Sequence, residues 1–324
     1  MRNDKRLFFF IEVTLACIVM VLAFFMLQGK YGEEPEKVSV IIQDSDDDRW
    51  AAFIYGLKMA AQDQKIELFV VTTEGLLTVE EQENLIESEI GSGADGVILQ
   101  PVLNPETEQM LSKIQKKLPV MLVEYPVSEE SNISVLPAAE PDNYAMGAAL
   151  AQELLKDFNG KVEGKTIGIF YQPDEAEAGR IRKQGFADTL KDTGITMCWE
   201  ISDTPESDGE NILETREKVD FVIALDDRSM TIAGEASAAR NLHGALVYGI
   251  GHSMEAVYYL DTGYTECLIV PDEFNVGYQS LTEVAAGIRQ PFRKMQDITV
   301  SYAVMRKETL FSKENQEILF TMSQ

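Results

Sequence analysis

Short apolar runs alternate with amphipathic stretches from Val38 to Met305, and no other feature of the chain limits its fold so strongly. The first unit sets the pattern. Val38–Ile42 is a run too apolar to leave a face in water, so it reads as a strand buried on both sides. Beyond it, Trp50, Phe53, Ile54, Leu57 and Ala61 fall on one stripe at the spacing of a helix packed on a sheet. Between them, Asp44–Trp50 holds four aspartates, an arginine and a tryptophan. Strands separated by helices in this way make βαβ units and a parallel sheet. A loop at the carboxyl end of a parallel strand is where open α/β sheets bind ligands.

The unit recurs. Strands are expected at 66–71, 96–99, 120–123 and 133–136, with helices at 80–92 and 106–117. Pro137 and Pro141 mark a change of direction before a helix at 143–155. After Asn159-Gly160 come strands at 167–170, 195–201, 221–225, 246–250 and 265–270, with helices at 178–191, 212–218, 229–241 and 254–259. One more helix carries Phe274, Gly277, Tyr278, Leu281, Ala285 and Ile288, and a last strand at 298–305 runs into a polar tail. The fold class expected is α/β, with two doubly wound parallel-sheet lobes of about five or six strands each.

A chain of 324 residues exceeds what one compact core usually takes, in keeping with two domains. The net charge of −26 argues against a nucleic-acid partner, whose phosphates need cation-rich faces. Three cysteines, Cys17, Cys198 and Cys267, make no disulfide framework. Cys198 and Cys267 fall in strand-like runs and read as buried free thiols or as a single bridge.

Leu7–Leu27 is almost wholly apolar, and as a helix it spans roughly 30 Å, the thickness of a bilayer core. A signal peptide would have a shorter apolar region and a small-residue cleavage site. Here Phe24-Phe25-Met26-Leu27 runs straight into Gln28-Gly29-Lys30. Cys17 follows Thr14-Leu15-Ala16, an imperfect lipoprotein box, so lipidation is the alternative to an uncleaved anchor. Arg2, Lys5 and Arg6 keep the N-terminus cytoplasmic by the positive-inside bias. The expected location is the cell membrane, single-pass, with residues 1–37 forming cytoplasmic tip, transmembrane helix and tether, and the remainder extracytoplasmic.

Four stretches carry a family resemblance: Gly93-Ala94-Asp95-Gly96-Val97-Ile98-Leu99-Gln100-Pro101, Asp142-Asn143-Tyr144-Ala145-Met146-Gly147, Arg182-Lys183-Gln184-Gly185-Phe186 and Asp261-Thr262-Gly263. In this order, over roughly residues 38–305, the chain resembles the ribose-type sugar-binding proteins of bacterial ABC uptake systems. These share the type 1 periplasmic-binding fold with the cores of LacI-type repressors. The resemblance implies two lobes joined by a three-crossing hinge, with the ligand in the cleft between them. Pro137–Pro141, Val270–Asp272 and Asp297–Val300 would be the crossings. Lobe 1 is then residues 38–138 plus 272–297, and lobe 2 residues 139–271 plus 298–324.

Carried over residue by residue, the resemblance puts Asp47, Arg49 and Trp50 after the first strand and Glu124, with Tyr125 beside it, after the fourth. Arg182 stands ahead of Gly185-Phe186, and Asp226-Asp227 takes the place of an Asn-Asp pair. Trp50 suits stacking on an apolar sugar face and equally suits core packing. Arg182 suits a hydroxylated or anionic ligand, because its planar fork gives paired hydrogen bonds. The alternative is a surface charge. As a cleft residue, Arg182 is expected to add little packing. The chain departs from the family twice. A family aspartate falls on Gly251, with His252 next, and a glutamine or asparagine at the second crossing falls on Pro271, followed by Asp272. His252 is a candidate replacement or a plain loop histidine. These departures count against an ordinary monosaccharide.

No Gly-x-Ser-x-Gly, P-loop or His-Glu-x-x-His motif occurs, and the Gly-x-Gly-x-x-Gly spacing at Gly91-Ser92-Gly93-Ala94-Asp95-Gly96 leads into a strand instead of opening a helix, so no enzyme and no cofactor are expected. No Asp-x-Asp-x-Asp-Gly loop suggests a metal site. The expected function is a membrane-anchored solute-binding protein that captures a small, polar, carbohydrate-like ligand for an ABC permease. The alternative is a receptor of the same fold that signals to a membrane histidine kinase or chemoreceptor.

Overall fold

The computed structural model describes residues 35–43, 50–73, 77–102, 104–124, 136–172, 176–202 and 212–324, with Ile18 and Met20 nearer the N-terminus. Two compact units divide the chain, Met1–Glu36 and Lys37–Gln324, and the sheets lie in the second. The expected membrane span at 7–27 falls outside the described residues but for Ile18 and Met20. Among the described residues no helix is long and apolar enough to cross a membrane.

The first sheet contains β1 (Lys37–Gln43), β2 (Glu67–Thr73), β3 (Gly96–Leu99), β4 (Val120–Val123), β5 (Ala138–Pro141) and β11 (Ile298–Val300). Their order is β11-β5-β4-β3-β1-β2, and every pair is parallel. Helices α1 (Ala51–Gln64), α2 (Val79–Gly91), α3 (Thr107–Ile114) and α8 (Glu273–Arg289) belong to this lobe. The second sheet contains β6 (Thr166–Phe170), β7 (Thr196–Ile201), β8 (Phe221–Ala224), β9 (Leu246–Ile250), β10 (Cys267–Pro271) and β12 (Tyr302–Met305). Its order is β12-β10-β9-β8-β6-β7, parallel except for the antiparallel β12. Helices α4 (Asn143–Asp157), α5 (Ala176–Thr189), α6 (Asp227–Ala238), α7 (Met254–Thr262) and α9 (Lys313–Met322) go with it.

Each sheet is apolar on both faces, as parallel sheets covered by helices must be. In β1 the side chains alternate: Val38, Val40 and Ile42 join the cluster with Trp50 and Phe53, while Ile41 joins the opposite cluster with Val97 and Ile86. The helix pairs approach closely. A Cβ on Gly56 would sit 2.0 Å from the Phe274 carbonyl oxygen, and one on Gly277 would sit 2.1 Å from that of Phe53. In the second lobe, Gly147 and Gly185 meet the carbonyls of Arg182 and Tyr144 in the same reciprocal way, at 1.8 and 2.1 Å.

The chain leaves the first sheet at the carboxyl end of β5 and the second at the carboxyl end of β10. The two sets of carboxyl ends therefore face each other across the crossings. A third crossing joins β11 to β12 at Ser301. Asp142 N donates to Val300 O at 3.1 Å and Asp272 N to Ser301 O at 3.2 Å, which ties the three crossings side by side.

Several boundaries differ from expectation. Residues 139–141 and 298–300, expected in lobe 2, pair with each other in the first sheet. The apolar run at 298–305 is two short strands broken at exposed Ser301, and a three-residue strand has too little pattern to declare its sheet. Most of the expected strand at 133–136 lies outside the described residues. The expected helix at 212–218 is a set of turns, with Leu213 alone fully seated in the core. The polar tail holds α9, which Ser312 caps and which rests Ile318, Leu319 and Met322 on the second lobe's core. Its Phe320 ring meets Tyr55 of α1 at 6.1 Å between centroids, so this helix touches both lobes. Cys198 and Cys267 are both free, which excludes a bridge. Cys198 is exposed on edge strand β7 rather than buried, and burial pushes the Cys267 thiol up to about 12.

Candidate functional site

At the carboxyl ends of the first sheet the polar groups form a chain. Gln43 N, ending β1, donates to Gln100 Oε1 at 2.9 Å, and Gln100 Nε2 donates to Glu124 Oε2 at 2.8 Å. Gln82 of α2 buttresses this row, donating to Gln100 O at 3.0 Å and accepting from Val102 N at 3.1 Å. Glu124 is exposed and sits at φ 49°, a left-handed conformation uncommon for a non-glycine residue and frequent at functional sites. Gln43 and Gln100 are not among the candidates expected from the sequence. Both follow buried apolar strands directly, and that strand-end position was the available signal.

Trp50 is 2% exposed and lies against Phe53, with ring centroids 5.3 Å apart. Its indole N–H donates to Gln43 O at 2.9 Å. The packing alternative therefore holds, and the stacking role has no open ring face. Asp47, Arg49 and Tyr125 lie outside the described residues.

In the second lobe the acidic candidates serve the backbone. Asp226 is 1% exposed; Oδ1 accepts from Ser229 N, and Oδ2 accepts from Ser229 Oγ and Gln172 N, all at 2.8 Å. It caps α6 and ties it to the end of β6. Asp227 Oδ1 accepts from His252 N at 2.6 Å and Ser253 N at 2.7 Å, fixing the loop after β9. A Cβ on Gly251 would lie 2.9 Å from that same oxygen, which explains why no side chain stands there. His252 is half-buried at this edge. Asp272 caps α8, accepting from Asn275 N at 3.1 Å and from Asn275 Nδ2 at 2.6 Å.

Arg182 is neither a surface charge nor a loosely packed cleft residue. It is 7% exposed, donating from Nε to Asn143 Oδ1 at 2.8 Å and from Nη1 to Leu225 O at 2.7 Å. The second contact places its guanidinium at the carboxyl end of β8. Nearby, at the ends of β6 and β7, Glu200 accepts from Tyr171 Oη at 2.8 Å and from Lys183 Nζ at 2.6 Å. Burial and then the bond to Glu200 raise the Tyr171 phenol above its usual value. Burial also works to raise Glu200, but the hydrogen bonds from Lys183 and Tyr171 outweigh it and hold the carboxyl below its usual range. Among the described residues no cluster of histidine, cysteine or carboxylate groups is arranged to hold a metal.

The family model described as periplasmic binding protein domain matches residues 38–289. The chain belongs to this family. No curated protein matches it at a significant level. Solved structures with the same fold include GanP, a glucose-galactose binding protein from Geobacillus stearothermophilus, at 19% identity and a TM-score of 0.70, covering 86% of this chain and 100% of that one. A carbohydrate-transporter solute-binding protein from Agrobacterium radiobacter, in complex with D-arabinose, aligns at 16% identity and a TM-score of 0.74, covering 89% and 99%. AraP, an arabinose binding protein from Geobacillus stearothermophilus, aligns at 17% identity and a TM-score of 0.67, covering 86% and 98%. As a family member, the chain has the two parallel-sheet lobes expected of the type 1 periplasmic-binding fold.

Proposed function

We propose that this protein captures a small, polar, sugar-like ligand between its lobes outside the cytoplasm and delivers it to an ABC importer. The observation that carries this reading is the buried Arg182 fork at the carboxyl end of β8, together with a Gln43–Gln100–Glu124 row at the carboxyl ends of the other sheet. A guanidinium offers paired donors to adjacent hydroxyls, and the amide and carboxylate groups opposite offer acceptors. The three crossings form the hinge about which the lobes close. His252, and Asp47, Arg49 and Tyr125 from outside the described residues, complete the proposed ligand set; Asp226, Asp227 and Asp272 shape it from behind. The sugars bound by the structural relatives support the ligand class.

Residues 7–27 are proposed as an uncleaved anchor that keeps the domain at the outer membrane face, without lipid on Cys17. Palmitate incorporation abolished by Cys17→Ala, or release of a shortened form, would refute that anchor. Calorimetric titration with D-arabinose, D-glucose and D-galactose tests the ligand class: saturable binding of a sugar supports it. Native mass spectrometry that finds a retained non-carbohydrate ligand and no sugar binding would overturn it.

A further inference from the structure

Arg182 is held by a relay that begins in the other lobe. Its Nε donates to Asn143 Oδ1 at 2.8 Å, and Asn143 Nδ2 donates to Glu140 Oε2 at 3.2 Å. Glu140 belongs to β5 of the first sheet, one residue before Pro141 and the first crossing, whereas Asn143 opens α4 just after it. Asn143 is 6% exposed, so its amide has little freedom to find water instead. A carboxylate only accepts hydrogen bonds and a guanidinium only donates them. The amide between them therefore has a single satisfactory orientation, with nitrogen toward Glu140 and oxygen toward Arg182. A flipped amide would set its donors against the arginine and its acceptor against the carboxylate.

We propose that Asn143 and Glu140 are positioning residues for Arg182, through which the first crossing of the hinge sets the posture of the arginine. This rests on the reading of Arg182 as a ligand contact. Bonds from two different nitrogens, to Asn143 Oδ1 and to Leu225 O, fix the plane of the guanidinium rather than a single point of it. Any rotation at 141–143 that carries Asn143 away from Glu140 releases the amide, and with it the restraint that Asn143 places on the fork. The arginine is thus in register for a ligand only in hinge states that keep the relay intact.

The test uses the full-length protein labelled with ¹⁵N-arginine. The Nε–H resonance of Arg182, identified by its loss in Arg182→Lys, should exchange slowly with water. Asn143→Leu should speed that exchange tenfold or more and weaken D-arabinose binding tenfold or more. Glu140→Leu, at a half-buried position, should give a smaller change of about threefold in both. The double variant Asn143→Asp with Glu140→Gln reverses donor and acceptor along the first bond and keeps an acceptor for the arginine, so it should restore both readouts. Should Asn143→Leu fail to fold, Glu140→Leu and the double variant decide. Unchanged exchange in Glu140→Leu, or no rescue by the double variant, would overturn the proposal. Accelerated exchange with full D-arabinose affinity would overturn it too. If the wild-type protein binds no sugar while the exchange pattern holds, the ligand reading fails and the positioning stands.

Discussion

In the first lobe, α1 and α8 cross at Gly56 and Gly277, and the side chain three residues before Gly56 is Phe53, fully buried against Trp50. In the second lobe, α5 and α4 cross at Gly185 and Gly147, and the side chain three residues before Gly185 is Arg182. The helices that follow the crossings even begin alike, Pro141-Asp142-Asn143-Tyr144-Ala145-Met146-Gly147 against Pro271-Asp272-Glu273-Phe274-Asn275-Val276-Gly277, each with its aspartate as the cap. One backbone frame thus carries an apolar plug in one lobe and a charged fork in the other. Apolar burial suffices to hold the frame together. A cation at the equivalent point costs desolvation and needs dedicated acceptors, which Asn143 Oδ1 and Leu225 O supply. The placement of such a group beside the strand ends is the physical argument for a binding role.

The comparison predicts an order of effects. Phe53→Ala should cost about 3–5 kcal/mol in urea unfolding, because it empties a closed core site. A destabilisation no larger than that of a surface substitution would break the equivalence. Gly147→Ala and Gly277→Ala should each cost about 1–3 kcal/mol, since the new methyl meets a backbone carbonyl that has no rotamer to escape into. Matching losses would confirm that both lobes rely on the same close approach. Arg182→Ala should cost about 1–2 kcal/mol by leaving Asn143 Oδ1 and Leu225 O short of a donor, well below Phe53→Ala.

The smallest expected difference lies at the far ends of the sheets. Asp95 accepts from Lys37 N at 2.9 Å and Asp220 accepts from Thr166 N at 2.9 Å, so the two lobes match again. Only Asp220 also takes a hydrogen bond from a lysine, Lys165 at 2.8 Å, and this bond first of all holds its carboxyl below the usual range. A carboxyl lowered in the folded state adds stability above its unfolded value and loses it as pH falls through the folded one, here below about pH 4. The pair is partly exposed, so the contribution is under about 1 kcal/mol. Asp220→Asn should flatten the acid limb of the stability curve slightly, as read from urea midpoints across that range.

Much of the scaffold was legible because its signals are local and periodic. The strands at Val38–Ile42 and Val120–Val123 and the helix stripe from Trp50 to Ala61 needed only spacing and apolarity. Short elements at the hinge were not legible: Ala138–Pro141 and Ile298–Val300 owe their sheet to pairing with each other, which no local pattern encodes. The C-terminal α9 is hidden in a polar composition, although Ser312, Asn315, Ile318, Leu319 and Met322 spell a cap and an apolar face. The place of Arg182 ahead of Gly185-Phe186 was legible, but its burial against Asn143 and Leu225 was not. The engagement of Asp226, Asp227 and Asp272 by backbone amides was not, because an aspartate after a strand reads the same whether it meets a ligand or caps the next helix.

The most direct test of the central claim is calorimetric titration of wild type and Arg182→Lys with D-arabinose, D-glucose and D-galactose, alongside the urea midpoint of each. Lysine keeps the charge and loses the planar fork. Losing one charge-assisted hydrogen bond is worth about 1.5–3 kcal/mol, so binding of the preferred sugar should fall about tenfold or more while the midpoint falls no further than in Arg182→Ala. Unchanged affinity together with a fall in midpoint would make Arg182 a scaffold residue like Phe53, and the functional contrast between the lobes would be wrong.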